Sequence, residues 1–443
     1  MTSSKTHVRY VIVAMLFAAS CFSYGDRAAL SVAGVTMQKA LAINARQFGF
    51  LLSGFGWAYV LGQLPAGGLL DRFGSKLVYG ISIVCWSICA FFIALAGHLP
   101  LATAFTVLFL LRLLSGLAQS PVFPGNGRIV AAWFPAAERG RASAIFNASQ
   151  YFALVAFGPV FGWLTQRFGW SSCFLFMGAT GLVLAWAWKL LVYDVKEHPR
   201  ISEAEVSHIE LGGGLVNTGR TASRGFVGGL TPSILGQLLS QRMLVGIYLG
   251  QFCINTLTTF FLTWFPSYLA QAHHMSLIKV GFAAALPALC GSVGGILGGV
   301  LSDRLLRSGC SLSVARKVPI IAGMLLSVTM IGCNYTNSQV AVMALMSLAF
   351  FGKGFGALGW TVISDVSPRN MIGMNGGVFN FFGNLSTITT PIVIGMIVAK
   401  TGSFQYALVF VGLTALMAIV SYLFIVGDIH RLQLQPEPQG SSV

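Results

Sequence analysis

Apolar stretches of about 20 residues, each long enough to cross the hydrocarbon core of a bilayer, recur from one end of the chain to the other. Lipid offers the backbone no hydrogen-bond partners, so each such stretch is restricted to a helix. Twelve spans are predicted, at about 11–36, 47–71, 78–97, 102–132, 142–168, 172–193, 243–270, 278–302, 318–335, 339–363, 373–399 and 405–427. Composition agrees: 55% of residues are hydrophobic and only 9% charged, with mean hydropathy +0.77. The first stretch is too long for a secretory leader and lacks a small-residue cleavage site, so it is expected to remain as a span. The predicted class is an all-α polytopic membrane protein.

A net charge of +15 raises nucleic acid as a partner, but the distribution of charge argues against it. With the N-terminus in the cytoplasm, 19 of the 27 Lys and Arg fall on that side, five on the other and three within spans. That is the positive-inside bias, and it places both termini in the cytoplasm. The basic residues orient the helices and meet anionic lipid head groups. The eight cysteines are scattered, mostly within spans, with no CxxC pair and no Cys/His cluster at metal spacing. Neither a metal nor a cofactor is expected. Cys85 and Cys89 share a helix face and read as small buried hydrophobes.

The longest polar segment, about 194–242, reads as a cytoplasmic linker with a short amphipathic helix near 202–210. The halves on either side, 1–193 and 243–443, repeat one pattern. Gly49-Phe50 returns as Gly281-Phe282, and Gly67-x-x-x-Asp71-Arg72 as Gly299-x-x-x-Asp303-Arg304, both at an offset of 232. Pro135 returns as Pro368 and Phe146-Asn147 as Phe379-Asn380, both at 233. A duplicated six-helix unit predicts two pseudo-symmetric bundles with a binding site between them at the membrane midplane.

Four charges fall inside spans: Asp26, Arg27, Arg112 and Lys353. A charge near the bilayer centre costs roughly 2.5–3.5 kcal/mol on insertion scales, so it is kept only where it faces a polar interior. Three cations and one acid predict a wet cavity that receives an anion and one proton. Tyr24 and Arg27 share a helix face, so Arg27 is either an anion anchor beside a titrating Asp26 or half of a local ion pair. Arg112, Gly116 and Gln119 line one face of span 4, which makes Arg112 a cavity cation or a partner of Asp26. In span 2, Trp57, Tyr59 and Gln63 offer rings and hydrogen-bonding groups. Gln150, Gln251, Asn255 and Asn380 either touch substrate or join helices to one another. Lys353, between two glycines, is too deep to snorkel and lies seven residues from Trp360. It is either a carboxylate ligand or a cation paired within the protein.

The segment Gly67-Gly68-Leu69-Leu70-Asp71-Arg72-Phe73-Gly74-Ser75-Lys76 resembles the loop 2–3 signature of the major facilitator superfamily. The resemblance implies a conformational role for Asp71 and Arg72 and for their repeats Asp303 and Arg304. Further matches run from about residue 8 to 431: Tyr24-Gly25-Asp26-Arg27, Phe123-Pro124-Gly125-Asn126, Trp133-Phe134-Pro135, Thr263-Trp264-Phe265-Pro266, Phe351-Gly352-Lys353-Gly354 and Gly377-Val378-Phe379-Asn380. Through these the chain is similar to the anion:cation symporter branch, above all to bacterial D-glucarate/galactarate permeases. That resemblance implies proton-coupled import of a sugar acid across the inner membrane, by a monomer. The positions that hold substrate in the related galactonate importers match Arg27, Tyr59, Gln150, Trp360 and Asn380, and the proton sites match Asp26 and Gln119.

Two departures matter. The galactonate-type proteins have a neutral residue where this chain has Lys353. A diacid carries a carboxylate at each end, so Arg27 and Lys353 are suited to take one each. The second departure is Gln119, which stands where the family usually has a Glu and does not titrate. Asp26 is then the only deep acid, and no His is deep. A dianion moving inward with one proton works against an interior-negative potential, by about 2.3 kcal/mol per charge per 100 mV. Three readings follow: weak coupling or exchange, a second proton riding on the substrate, or an engineered Gln119 that mimics a protonated Glu. The rival to symport is an organic-anion exchanger or facilitator, or an importer of monocarboxylates. A membrane enzyme lacks its catalytic set here, and a sensor lacks a signalling domain.

Overall fold

The computed structural model describes residues 6–216, 232–368 and 371–432. The remainder of the predicted linker, 217–231, and of the C-terminal tail, 433–443, lies outside the described residues. Twelve long helical segments appear in chain order: α1 (Val8–Ala40), α2 (Ala45–Phe73), α3 (Ser75–His98), α4 (Leu101–Trp133), α5 (Arg139–Phe168), α6 (Ser171–Leu191), α7 (Arg242–Thr263), α8 (Leu277–Arg307), α9 (Leu312–Tyr335), α10 (Gln339–Val366), α11 (Ile372–Thr401) and α12 (Gln405–Ile425). All but α2 are long and apolar enough to cross a membrane. Helix α2 has the length, 29 residues, but its glycines, Gln63 and Pro65 dilute its hydropathy.

The turns follow from local chemistry. Asn44 opens α2 with a capping box: its Oδ1 accepts from the Gln47 amide at 2.9 Å, and Gln47 Oε1 accepts from the Asn44 amide at 3.0 Å. Gly74, at φ +81°, makes the one-residue break between α2 and α3, a conformation that favours glycine. Gly402, at φ +68°, ends α11 in the left-handed cap. Not every span is a continuous α-helix. Helix α4 breaks at Ser120-Pro121, α10 passes through a 3-10 stretch at Phe355–Leu358, and α11 is interrupted at Leu385.

The linker helix found at Glu203–Leu211 agrees with the predicted one, but its role differs from that of a solvated spacer. Glu205 is fully buried and caps the start of α1, accepting from the Val8 and Arg9 amides at 3.0 and 3.2 Å and from Arg9 Nη1 at 3.1 Å. A carboxylate at a helix N-terminus satisfies orphan amides and complements the helix dipole. Arg9 also pairs with Glu138 at 3.1 Å, and His208 lies 3.3 Å from the same carboxylate. Burial raises the Glu138 pKa, but the His208 contact and the Arg9 charge outweigh it, holding the group below its ordinary 4.5. The first part of the linker is thus docked onto the N-terminal half, at what is termed here the linker end.

At the opposite end the halves meet backbone to backbone. A Cβ on Gly49 would lie 2.4 Å from the Pro391 carbonyl oxygen, and one on Gly395 would lie 2.7 Å from that of Ala45. A Cβ on Gly281 would lie 2.3 Å from the Gly158 carbonyl oxygen, and one on Gly162 would lie 2.4 Å from that of Leu277. These crossings, α2 with α11 and α5 with α8, are copies of each other at the repeat offsets of 232 and 233. Phe48 packs edge-on to Trp264 at 5.4 Å, and Ser31 donates to the Thr263 carbonyl at 2.6 Å, at the same end. The protein is closed there. Toward the linker end, Gly140, Gly373 and Gly377 face open space.

Candidate functional site

Asp26 lies fully buried on α1, and α4 supplies its partners. Arg112 Nη1 and Gln119 Nε2 both donate to Asp26 Oδ2, each at 3.1 Å. Ser23 donates to Gln119 Oε1 at 2.7 Å, which fixes the amide so that its NH2 faces the acid. Gly116, between the two α4 donors, lets α4 approach α2 closely: a Cβ there would sit 2.2 Å from the Phe55 carbonyl oxygen. This settles the alternatives for Arg112, which is the partner of Asp26. Asp26 Oδ1 is buried and has no hydrogen-bond partner among the described residues.

Arg27 does not form the local ion pair with Asp26. Its guanidinium sits among rings instead, 5.0 Å from the Tyr24 centroid, 4.3 Å from Phe55 and 4.9 Å from Tyr59. Cation–π contact stabilises such a charge without neutralising it. Among the described residues Arg27 has no acid partner, and its Nε is buried and unpaired. Phe55 was not singled out from the sequence, because nothing in an apolar residue marks it as a cation's neighbour.

Lys353 on α10 is 7% exposed and has neither an ion pair nor a hydrogen bond among the described residues. Its Nζ lies 5.7 Å from the Tyr151 centroid, across the divide on α5, and 5.2 Å from Phe350. Asp26 is not its partner. Trp360 is 40% exposed and packs against Phe379 at 5.0 Å. The 3-10 stretch between Lys353 and Trp360 breaks the α-helical register, so a seven-residue spacing does not place both in one environment.

The amides divide. Gln150 Nε2 bonds to the Asn147 carbonyl of its own helix at 3.2 Å. Gln251 Nε2 donates to Asn255 Oδ1 at 3.3 Å, and its Oε1 is buried without a partner. Asn380 donates across the divide to Gln63 Oε1 at 3.1 Å. The loop residues lie near the linker end. Asp71 pairs with Arg128 of its own half, and Arg72 packs on Phe73 at 5.2 Å. Asp303 stands 3.9 Å from Arg316, which also holds Asp365 at 2.8 Å, all within the C-terminal half. Arg304 is exposed.

A buried acid held by one cation, two further unpaired cations and a set of half-used amides form a constellation suited to an organic anion. A family profile for the Major Facilitator Superfamily matches residues 16–315. The "Probable galactarate/D-glucarate transporter GudP" of Bacillus subtilis (strain 168) is 55% identical over 435 residues, covering 98% of this chain and 95% of that protein. The protein of the same name in Escherichia coli (strain K12) is 51% identical, covering 98% and 96%. The "D-galactonate transporter" of Escherichia coli O6:H1 is 39% identical, covering 96% and 97%. Among solved structures, a D-xylose–proton symporter aligns with TM-score 0.69 at 15% identity, covering 98% of this chain and all of that one. A bacterial homologue of the human lysosomal transporter Spinster, in an inward-facing and occupied conformation, aligns with TM-score 0.71 at 15% identity, covering 95% and 97%.

Proposed function

The chain belongs to the major facilitator superfamily, a family of membrane transporters rather than enzymes, and on that premise we propose that it imports a sugar-acid anion, D-glucarate or galactarate, by proton symport. The observation that carries this reading is the pair of cations without acid partners among the described residues, Arg27 in one half and the buried Lys353 in the other. A linear six-carbon diacid presents one carboxylate to each. The 50–55% identity to transporters named for such diacids supports the same choice.

Asp26 is the group that takes and releases the proton. Arg112 and Gln119 both donate to its Oδ2. Substrate arriving on Arg27 would sit one residue away from this acid. Gln119 cannot carry a second proton, so coupling rests on Asp26 and on any proton the substrate brings. The halves then exchange access by rocking about the site between them, so that the closed end parts as the linker end shuts, with the linker and both termini in the cytoplasm of a bacterium and the spans in its inner membrane.

The test is uptake of labelled D-glucarate into proteoliposomes, with and without an inward proton gradient, for the chain as written and for Gln119→Glu. Gradient-driven accumulation by the unmodified chain is expected. Exchange alone, with accumulation gained only in Gln119→Glu, would make the protein an exchanger.

A further inference from the structure

The amides that bridge the halves form a chain with a fixed direction. It starts at the main-chain carbonyl of Asn380, which accepts from Asn384 Nδ2 at 2.9 Å and so identifies that end of the Asn384 side chain as the NH2. The same Nδ2 donates to Asn380 Oδ1 at 3.0 Å. With its oxygen engaged, Asn380 turns its own NH2 across the divide to Gln63 Oε1. Each amide has one acceptor end and one donor end, so a carbonyl at the start orients every member in turn. Flipping Gln63 would set NH2 against NH2. The chain therefore ends on a donor, Gln63 Nε2, which is buried and has no hydrogen-bond partner among the described residues.

Its position points to what it donates to. Gln63 lies one helical turn beyond Tyr59 on the same face of α2, and Tyr59 covers the Arg27 guanidinium. The rise between i and i+4 is about 6 Å, within the span of a six-carbon acid whose first carboxylate rests on Arg27. Gln63 as a residue is partly exposed, so a small shift of its end group brings the NH2 to the open side.

We propose that Gln63 is a substrate ligand: its Nε2 donates to a hydroxyl or carboxylate oxygen of the sugar acid while its Oε1 stays on Asn380. One side chain of the N-terminal half then binds substrate and the C-terminal half together, so the chemistry of the carbon chain is read by a group that also spans the divide. Asn384 is the positioning residue that sets the polarity. The proposal rests on the sugar-acid reading above.

The test is binding of D-glucarate to the purified full-length protein by titration calorimetry between pH 5 and 8. Gln63→Glu keeps an acceptor for Asn380 but exchanges the donor for a carboxylate. Affinity is expected to fall roughly ten- to hundredfold at pH 8, the worth of a hydrogen bond to a charged group. The deficit relative to the unmodified protein narrows as pH falls, because a protonated carboxyl donates again. Gln63→Met, which neither accepts nor donates at that position, loses a similar factor at every pH and serves where the Glu variant does not fold. A residue that only clasps the halves would leave Gln63→Glu at unmodified affinity across the range, and that result, or unchanged binding by Gln63→Met, overturns the proposal. Failure of the unmodified protein to bind D-glucarate, galactarate or D-galactonate would overturn the sugar-acid reading instead.

Discussion

In the N-terminal half, the deep acid is crowded with donors: Arg112 and Gln119 both reach Asp26 Oδ2, and Ser23 holds Gln119 in place. In the C-terminal half, the deep cation Lys353 lies near the rings of Tyr151 and Phe350 with no ion pair among the described residues, and amides pair with amides, Gln251 with Asn255 and Asn384 with Asn380. At the repeat offset of 232, Asp26 corresponds to Thr258, Arg112 to Ala344 and Lys353 to Pro121. None of the deep charges has a copy, whereas the crossing glycines and the loop acids Asp71 and Asp303 do. The duplicated features serve the frame, since two equal crossings need equal clearances. On the proposed function, the unduplicated ones serve an asymmetric cargo, with proton chemistry in one half and anion reception shared between both.

The comparison breaks most sharply at the buried ion pair. Removing one member leaves an uncompensated charge, at a cost of about 3–5 kcal/mol. Asp26→Asn is therefore expected to lower the melting temperature strongly, and Asp26→Asn with Arg112→Met to restore most of it. Proton-driven uptake should stay lost in the double variant. Recovery of driven uptake there would show that the proton is carried elsewhere.

Next comes the frame. A side chain at Gly162 or Gly395 must displace backbone. Overpacking costs about 1–3 kcal/mol, which shifts the balance between closed and open forms roughly five- to 150-fold. Thiol labelling of a cysteine placed at Phe48 should rise in Gly162→Val and in Gly395→Val alike. A change in only one variant would mean that the two crossings are not equivalent.

Lys353→Asn sharpens the division of labour. Glucarate uptake is expected to fall roughly tenfold or more, the worth of a charged hydrogen bond, with galactonate uptake reduced far less. Equal losses would remove Lys353 from recognition of the second carboxylate. The smallest effect lies at the linker. Because His208 and Arg9 depress the Glu138 pKa, the stability it contributes is present above about pH 4.5 and lost as pH falls below it. Hydrogen exchange over Glu203–Leu211 should quicken below that pH, and His208→Ala should blunt the change. Exchange that is flat from pH 6 to 4 would count against it.

Much of this was legible in the sequence because bilayer physics leaves few options. Apolar length gave the spans, and the cost of a buried charge picked out Asp26, Arg27, Arg112 and Lys353. Depth and helical face left both Arg27 and Arg112 as candidate partners of Asp26, and the contact itself falls to Arg112. Other features depend on contacts far apart in sequence. Nothing in the linker sequence sets Glu205 apart from its neighbouring acids, yet the start of α1 draws it fully inside. Glycines occur throughout this part of α10, so the sequence does not mark the 3-10 stretch at Phe355–Leu358 that lies between Lys353 and Trp360. Gln63 was visible only as a polar group on α2; its donor end emerges from an orientation set by Asn380 and Asn384 in the other half.

The two glycine crossings have a consequence for speed. Glycine has no side chain to immobilise, so at these points the halves come together without freezing any rotamer. Backbone carbonyls meeting Cα hydrogens contribute weak, short-ranged attraction. A joint of this kind gains little by staying shut and loses little by parting, so it sets a low toll on each cycle. On the proposed function, the time a cycle takes is then governed by the cargo and its proton rather than by these crossings.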